Sequence, residues 1–315
     1  MNLLEYIKER RLLDKLNTSN IHKNYNTIRE IYNKTTIGHS DLTLDSFVHC
    51  MKFVDKEIEN TNTKLEDIFN KEVQPPRLKQ SYANYENKRR MDIELISDDY
   101  WTDEFKRKVC SKIKKYVDFQ YPGCEIGPRS HYWTKELGGF DPLYLVGPDL
   151  NMIQHVADNF NPIYQRRLRV YQLEDSMDFS YLPQKAFAFV FSLYHFEFLP
   201  YDMIDKYLSG IFNILSPGGI AFLTYANCLM EKSAEKFENS YYCYMTDQLM
   251  EGLANKNGFD ILEQEDFQFR MSWVVVQKPG KFHSGIKRVP SVGFLHDGDI
   301  PEVGSHIKEE IYLDR

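Results

Sequence analysis

The chain lacks any apolar run approaching bilayer length, which argues against a helical membrane span. Its opening residues, Met1-Asn2-Leu3-Leu4-Glu5, reach a charge at once and lack the hydrophobic region of a secretory signal. Cysteine is sparse: Cys50, Cys110, Cys124, Cys228 and Cys243 are scattered and contain no CxxC pair. That pattern argues against zinc or redox use and for idle thiols in a reducing, cytoplasmic compartment. No GxxxxGK[ST] loop offers a phosphate cradle. His22, His39 and His49 lack the carboxylate arrangement of a metal site. Internal repeats and low-complexity tracts are absent as well.

Basic charge is also in short supply where it would matter for nucleic acid. The net charge is −7 over 315 residues, unevenly spread. Residues 1–120 carry 22 Lys and Arg against 20 Asp and Glu, whereas residues 121–280 carry 12 against 20. An acidic catalytic half disfavours a DNA or RNA substrate, because neutralising phosphates dominates such affinity. Lys88-Arg89-Arg90 and the run Lys106-Arg107-Lys108 through Lys112, Lys114 and Lys115 read as solvated helix faces.

What is present is a globular composition, 42% hydrophobic and 14% aromatic, on a chain long enough to bury a full α/β core. Residues 1–74 read as a helical region, with apolar residues at helix spacing through Leu3–Leu16, Tyr25–Tyr32, Phe47–Ile58 and Leu65–Phe69. Pro75-Pro76 breaks that pattern, and residues 75–97 are expected to be a linker. From about residue 98 to 280, helices and strands alternate. The expected helices are Asp103–Tyr116, Tyr132–Leu137, one through Met152–Val156, Ile204–Leu215 and Met245–Lys256. The expected strands end at Ile126, or cover 143–146, 168–173, 187–193, 220–225, 261–269 and 273–277. Such alternation specifies a doubly wound, mostly parallel sheet, and the last two strands are close enough to pair antiparallel. Residues 281–315, punctuated by Gly and Pro, form an irregular tail.

Three stretches carry the chemistry. Cys124-Glu125-Ile126-Gly127-Pro128-Arg129-Ser130 has the acidic-x-Gly turn that opens a nucleotide-type βα unit. Leu143-Tyr144-Leu145-Val146-Gly147-Pro148-Asp149 reads as the next strand and its exit, and Leu215-Ser216-Pro217-Gly218-Gly219 as a helix-to-strand turn. Asn257-Gly258-Phe259 and Val274–Pro279 follow in the same order. Together they resemble the class I S-adenosylmethionine-dependent methyltransferases over roughly residues 98–280. The resemblance implies a Rossmann-like α/β sheet with an antiparallel C-terminal strand, S-adenosylmethionine as cofactor, and a methyl acceptor.

It also implies a set of site residues. Glu125 and Gly127 match the family's acidic and first glycine positions, where backbone passes close to the methionine part of the cofactor. Pro128 and Ser130 belong to the same turn. Arg129 stands where the second glycine belongs, and can fill the pocket, swing out, or hold the cofactor carboxylate. Gly147 stands where the family grips both ribose hydroxyls with an acid; Asp149 either substitutes from the loop or caps the following helix. Glu174 and Asp175 match the place that meets the adenine, or are solvated loop acids. Ser192 and Leu193 end the strand that lines the cofactor, and Ala188 replaces a common structural aspartate within it. His195, just beyond, is either a general base for a hydroxyl acceptor or a packed histidine.

Neither the Asn/Asp-Pro-Pro-aromatic motif of nucleic-acid amino methylation nor the Pro-Cys nucleophile of cytosine-C5 methylation occurs. The acceptor is therefore expected to be a small molecule or a protein side chain. The alternative is a catalytically degenerate methyltransferase-like fold serving as a structural or interaction module. In either case the N-terminal helices and C-terminal tail are candidate surfaces for a protein partner or a second copy.

Overall fold

The computed structural model describes residues 74–89, 101–116, 121–173, 177–267 and 271–281, with Leu3, Lys52, Lys56 and Thr63 as single helical positions. The remaining helices expected in residues 1–74 lie outside the described residues, as do Glu174, Asp175 and the tail beyond Lys281. The chain divides into two units, Met1–Gln80 and Ser81–Arg315, and the elements below belong to the second, apart from the opening turns of the first helix.

That first helix, α1 (Gln74–Arg89), runs through the stretch expected to be a linker. Pro75 and Pro76 fall in its first turn, where a missing N–H breaks no helical hydrogen bond, so the prolines begin the helix instead of preventing it. Its polar composition hides a buried face. Ser81 Oγ accepts from Tyr244 N at 2.7 Å, and Asn84 Nδ2 donates to the carbonyls of Phe237 (3.1 Å) and Tyr242 (2.9 Å).

α2 (Asp103–Tyr116) buries the expected stripe of Phe105, Val109, Ile113 and Tyr116. Phe105 stacks on Trp101 at 4.9 Å and meets Trp133 edge-on, fixing the helix start beside the sheet. The first five strands are β1 (Gly123–Ile126), β2 (Leu143–Gly147), β3 (Leu168–Gln172), β4 (Phe187–Ser192) and β5 (Leu215–Tyr225). They alternate with α3 (His131–Glu136), α4 (Leu150–Asp158), α5 (Pro162–Gln165) and α6 (Tyr201–Ile214). α7 (Glu231–Glu238) and α8 (Asp247–Lys256) lead into β6 (Asp260–Phe267) and β7 (Met271–Gln277).

The seven strands form one sheet in the order β3-β2-β1-β4-β5-β7-β6. The first five are mutually parallel, and β7 inserts antiparallel between β5 and β6. β4 is buried at all six positions, as a central parallel strand covered on both faces must be. Strand order reverses between β1 and β4, so their carboxyl ends flank the crevice in which such sheets bind ligands.

Two boundaries differ from expectation. α6 stops at Ile214, and the Ser-Pro-Gly-Gly stretch is part of β5, joined to β4 through a register shift between Phe187 and Phe189. The Lys278 ammonium explains the sharp stop: it donates to Phe212 O (2.6 Å) and Leu215 O (2.8 Å), carbonyls that the helix end leaves over. α7 was not expected; its sequence is mostly charged, and only Ser233, Ala234 and Phe237 face inward. No described helix is long and apolar enough to cross a membrane.

Candidate functional site

At the end of β1 the chain turns sharply. Gly127 adopts φ +64°, and its N–H donates to Val146 O at 2.7 Å, holding the turn against β2. Ser130 then caps α3 by accepting from Tyr132 N. Gly127, Pro128, Arg129 and Ser130 are all buried. Across the crevice, Ser192 Oγ donates to Ile126 O at 2.8 Å, tying the end of β4 to the end of β1, and Leu193 is buried beside it. The structure thus brings six of the expected residues together: Glu125, Gly127, Pro128, Arg129, Ser192 and, through the turn that follows β4, His195.

His195 stands directly over Gly127. A Cβ built on that glycine would lie 2.3 Å from the imidazole Cγ and 2.4 Å from Nδ1. The ring is held edge-on to Tyr207 at 5.2 Å and to Phe196 at 5.7 Å. Burial, reinforced by the positive charge of Arg129, pushes its pKa down to about 3, so the ring is neutral. Among the described residues, Nε2 has no hydrogen-bond partner.

The neighbouring ionisable groups are in a similar state. Glu125 is 3% exposed, its Oε2 is unpartnered, and burial lifts its pKa to about 8 against the opposing hydrogen bond from Thr134. Arg129 lies with its guanidinium carbon 4.6 Å from the Phe198 ring centre and with Nε unpartnered. Burial lowers its pKa while Glu197 leads the groups that oppose the shift. Glu197 is fully buried, and burial raises its pKa to about 7 against opposing hydrogen bonds, one of them with the Thr224 side chain, and the charge of Arg129. Buried polar atoms are ordinarily satisfied, so the unpartnered Glu125 Oε2, Arg129 Nε and His195 Nε2 set this turn apart.

Farther out, Gly147 ends β2 with no side chain to offer; a Cβ there would meet Gly127 Cα and Ile153 Cδ1 at 3.4 Å, which is ordinary contact. The Asp149 carboxylate caps α4, Oδ1 accepting from Met152 N at 3.1 Å, and the residue is exposed. Glu197 escaped sequence reading because it lies within the apolar run Leu193–Leu199. Its one signal was that it is a lone acid among aromatic residues.

A second hollow, a cavity of about 560 Å³, opens on the same rim of the sheet. Trp101, Phe105, Tyr242, Phe267 and Met271 form its buried floor, and Lys232, Glu235 and Lys236 of α7 stand exposed at its mouth. Tyr194 packs against the floor of this cavity, its ring 5.6 Å from Trp101 and 6.2 Å from Tyr242, and His195 is the next residue in the chain. The floor residues were missed because Trp101, Tyr242 and Met271 lie in different elements and share no spacing.

The sequence model of the family described as "Methyltransferase domain" matches residues 100–264, more than half of the chain. The chain therefore belongs to the S-adenosylmethionine-dependent methyltransferase family, and its reaction transfers a methyl group from that cofactor to an acceptor. Among solved structures it is similar to the N-methyltransferase NodS from Bradyrhizobium japonicum, at 15% identity and a TM-score of 0.45 over 64% of this chain and 99% of that one. It is also similar to geranyl diphosphate C-methyltransferase from Streptomyces coelicolor, at 6% identity and a TM-score of 0.44 over 56% and 80%. At these scores neither likeness bears on the assignment. No curated protein matches.

The donor set of the turn fits the cofactor's amino-acid end. That end carries an ammonium and a carboxylate, and Glu125 and Arg129 each carry a buried atom without a hydrogen-bond partner among the described residues. The space over Gly127 that a Cβ would enter is filled by the His195 imidazole.

Two consequences are measurable. Gly127→Ala should lose about 1–2 kcal/mol from the left-handed backbone alone, and more from overlap with His195. Adding His195→Ala should recover the overlap part, so urea unfolding of the double variant should be non-additive; strict additivity would contradict the contact. For Glu125, a pKa raised on folding from 4.5 to about 8 means the folded chain binds the extra proton between those values. Its contribution to stability is fullest below about 4.5 and drains as pH rises towards 8. The melting temperature of Glu125→Gln should gain on the parent between pH 5 and pH 8; a gap independent of pH would contradict the burial of this carboxyl.

Proposed function

We propose that the cofactor is held at the carboxyl ends of β1 and β4, and that the acceptor is an anionic small molecule with a planar apolar body. In this reading Glu125 and Arg129 meet the two charges of the amino-acid end, while Gly127 and Pro128 let backbone approach closely. Ser130, Ser192 and Leu193 complete the wall. The Ser130 hydroxyl accepts in the cap of α3 and the Ser192 hydroxyl donates in the β1–β4 tie, which leaves acceptor capacity on Ser192. Asp149, Glu174 and Asp175 remain the acids assigned to the nucleoside end.

When bound, S-adenosylmethionine supplies a methyl group already activated by its sulfonium, so alignment and an acceptor lone pair matter more than acid–base chemistry. Accordingly we give His195 no role as a base: its ring is neutral, buried, and held weakly basic by its surroundings.

The observation that carries the acceptor class is the aromatic hollow beside Tyr194. Its floor of Trp101, Phe105, Tyr242 and Phe267 favours stacking with a flat ring, and Lys232 and Lys236 at the mouth outnumber Glu235. A cavity of about 560 Å³ suits a small molecule better than a polymer segment. Cys110, Cys124, Cys228 and Cys243 are free thiols, which supports a reducing, cytoplasmic setting.

Gly147→Asp restores a carboxylate at the end of β2, where the backbone accommodates a Cβ. It should tighten S-adenosylhomocysteine binding about tenfold by calorimetry, the worth of one charge-assisted bond; unchanged or weaker binding would contradict the placement of the seat. For the acceptor hollow, 4-hydroxycinnamate should quench tryptophan fluorescence saturably. Replacing Lys232 and Lys236 together with alanine should weaken that probe about tenfold and leave its uncharged methyl ester unaffected. Equal losses for acid and ester would exclude charge recognition.

A further inference from the structure

We infer that His195 is an intramolecular stopper: its imidazole occupies the part of the cofactor seat that lies against Gly127, and the cofactor enters only when this ring swings out. The inference rests on the seat proposed above and adds a competitor for it within the chain.

Three observations lead there. The first is occupancy. The imidazole fills the space over the one backbone position whose φ of +64° and missing side chain create a close-approach surface. A ligand and this ring cannot both lie against Gly127.

The second is that the backbone around the ring is fixed. Tyr194 N donates to Thr224 Oγ1 at 2.8 Å, Cys243 N donates to Glu197 O at 2.8 Å, and Phe198 N closes back on His195 O at 3.2 Å. With its chain pinned on both sides, the seat is cleared by rotation of one side chain and not by retreat of a loop. Buried side-chain hops of this kind leave the fold intact.

The third is that the closed arrangement forgoes polar bonding. Among the described residues, His195 Nε2 and Arg129 Nε are buried without hydrogen-bond partners, and Tyr194 sits at φ +59°, a left-handed conformation strained in a residue other than glycine. Against this, edge-on contacts with Tyr207 and Phe196 keep the ring in. The closed state is thus held by apolar packing over unsatisfied polar atoms, and a ligand carboxylate reverses that balance by giving Arg129 a partner that the ring does not.

Affinity is then reduced by the fraction of molecules with the ring out. Calorimetric titration of the full chain with S-adenosylhomocysteine tests this. His195→Ala should bind at least tenfold more tightly than the parent, and His195→Asn, a shorter polar side chain, should lie between them. The intermediate variant keeps the test open should the alanine variant fold poorly, which its thermal melt reveals. Equal dissociation constants in the parent and both variants would overturn the stopper while leaving the seat in place. Absence of binding in all three folded proteins would overturn the seat itself, and the stopper with it.

Discussion

The structure depends on burying ionisable groups where β1 and β4 end side by side. That junction exists because strand order reverses there, leaving two helices to depart on opposite faces and a crevice between their starts. Glu125 is carried into it by β1, and His195 and Glu197 by the turn after β4. Arg129 arrives from the turn after β1. Each is buried, and each loses more solvation than its neighbours return, as the raised carboxyl pKa values and the depressed imidazole show. Stability alone would favour apolar side chains at such positions. Glu125, Arg129, His195 and Glu197 are all buried there instead.

Most of the architecture was legible in the sequence because turns and parallel strands are local requirements. The acidic-x-Gly turn, the apolar strand Phe187–Ser192 and the Asn257-Gly258 stop each fix one element by its own chemistry. The errors arose where distant residues decide. Pro75-Pro76 reads as a break, yet Ser81 and Asn84 find buried partners 150 residues away and a helix forms behind the prolines. The end of α6 depends on Lys278, which lies just past the last strand, some sixty residues farther along the chain.

The site was legible only in part, for the same reason. Glu125, Gly127 and Arg129 are neighbours in sequence, so one motif reveals them. The contact between Gly127 and His195 joins residues 68 positions apart and follows from strand order, not from spacing. Glu197 is hidden in an apolar run, and the aromatic floor is drawn from α2, β6, β7 and the segment after α7. Arg129 and Gly147, departures from the family pattern, acquire a physical meaning together. One adds a buried cation to the turn after β1, and the other leaves the end of β2 without a side chain.

The central claim is that the polar hollow around Gly127 is the cofactor seat. A crystal structure of the protein grown with S-adenosylhomocysteine tests it most directly. The account predicts ligand density against Gly127, with the imidazole of residue 195 displaced and the guanidinium of residue 129 turned to the ligand carboxylate. Ligand bound elsewhere, with the imidazole still seated over the glycine, would contradict it.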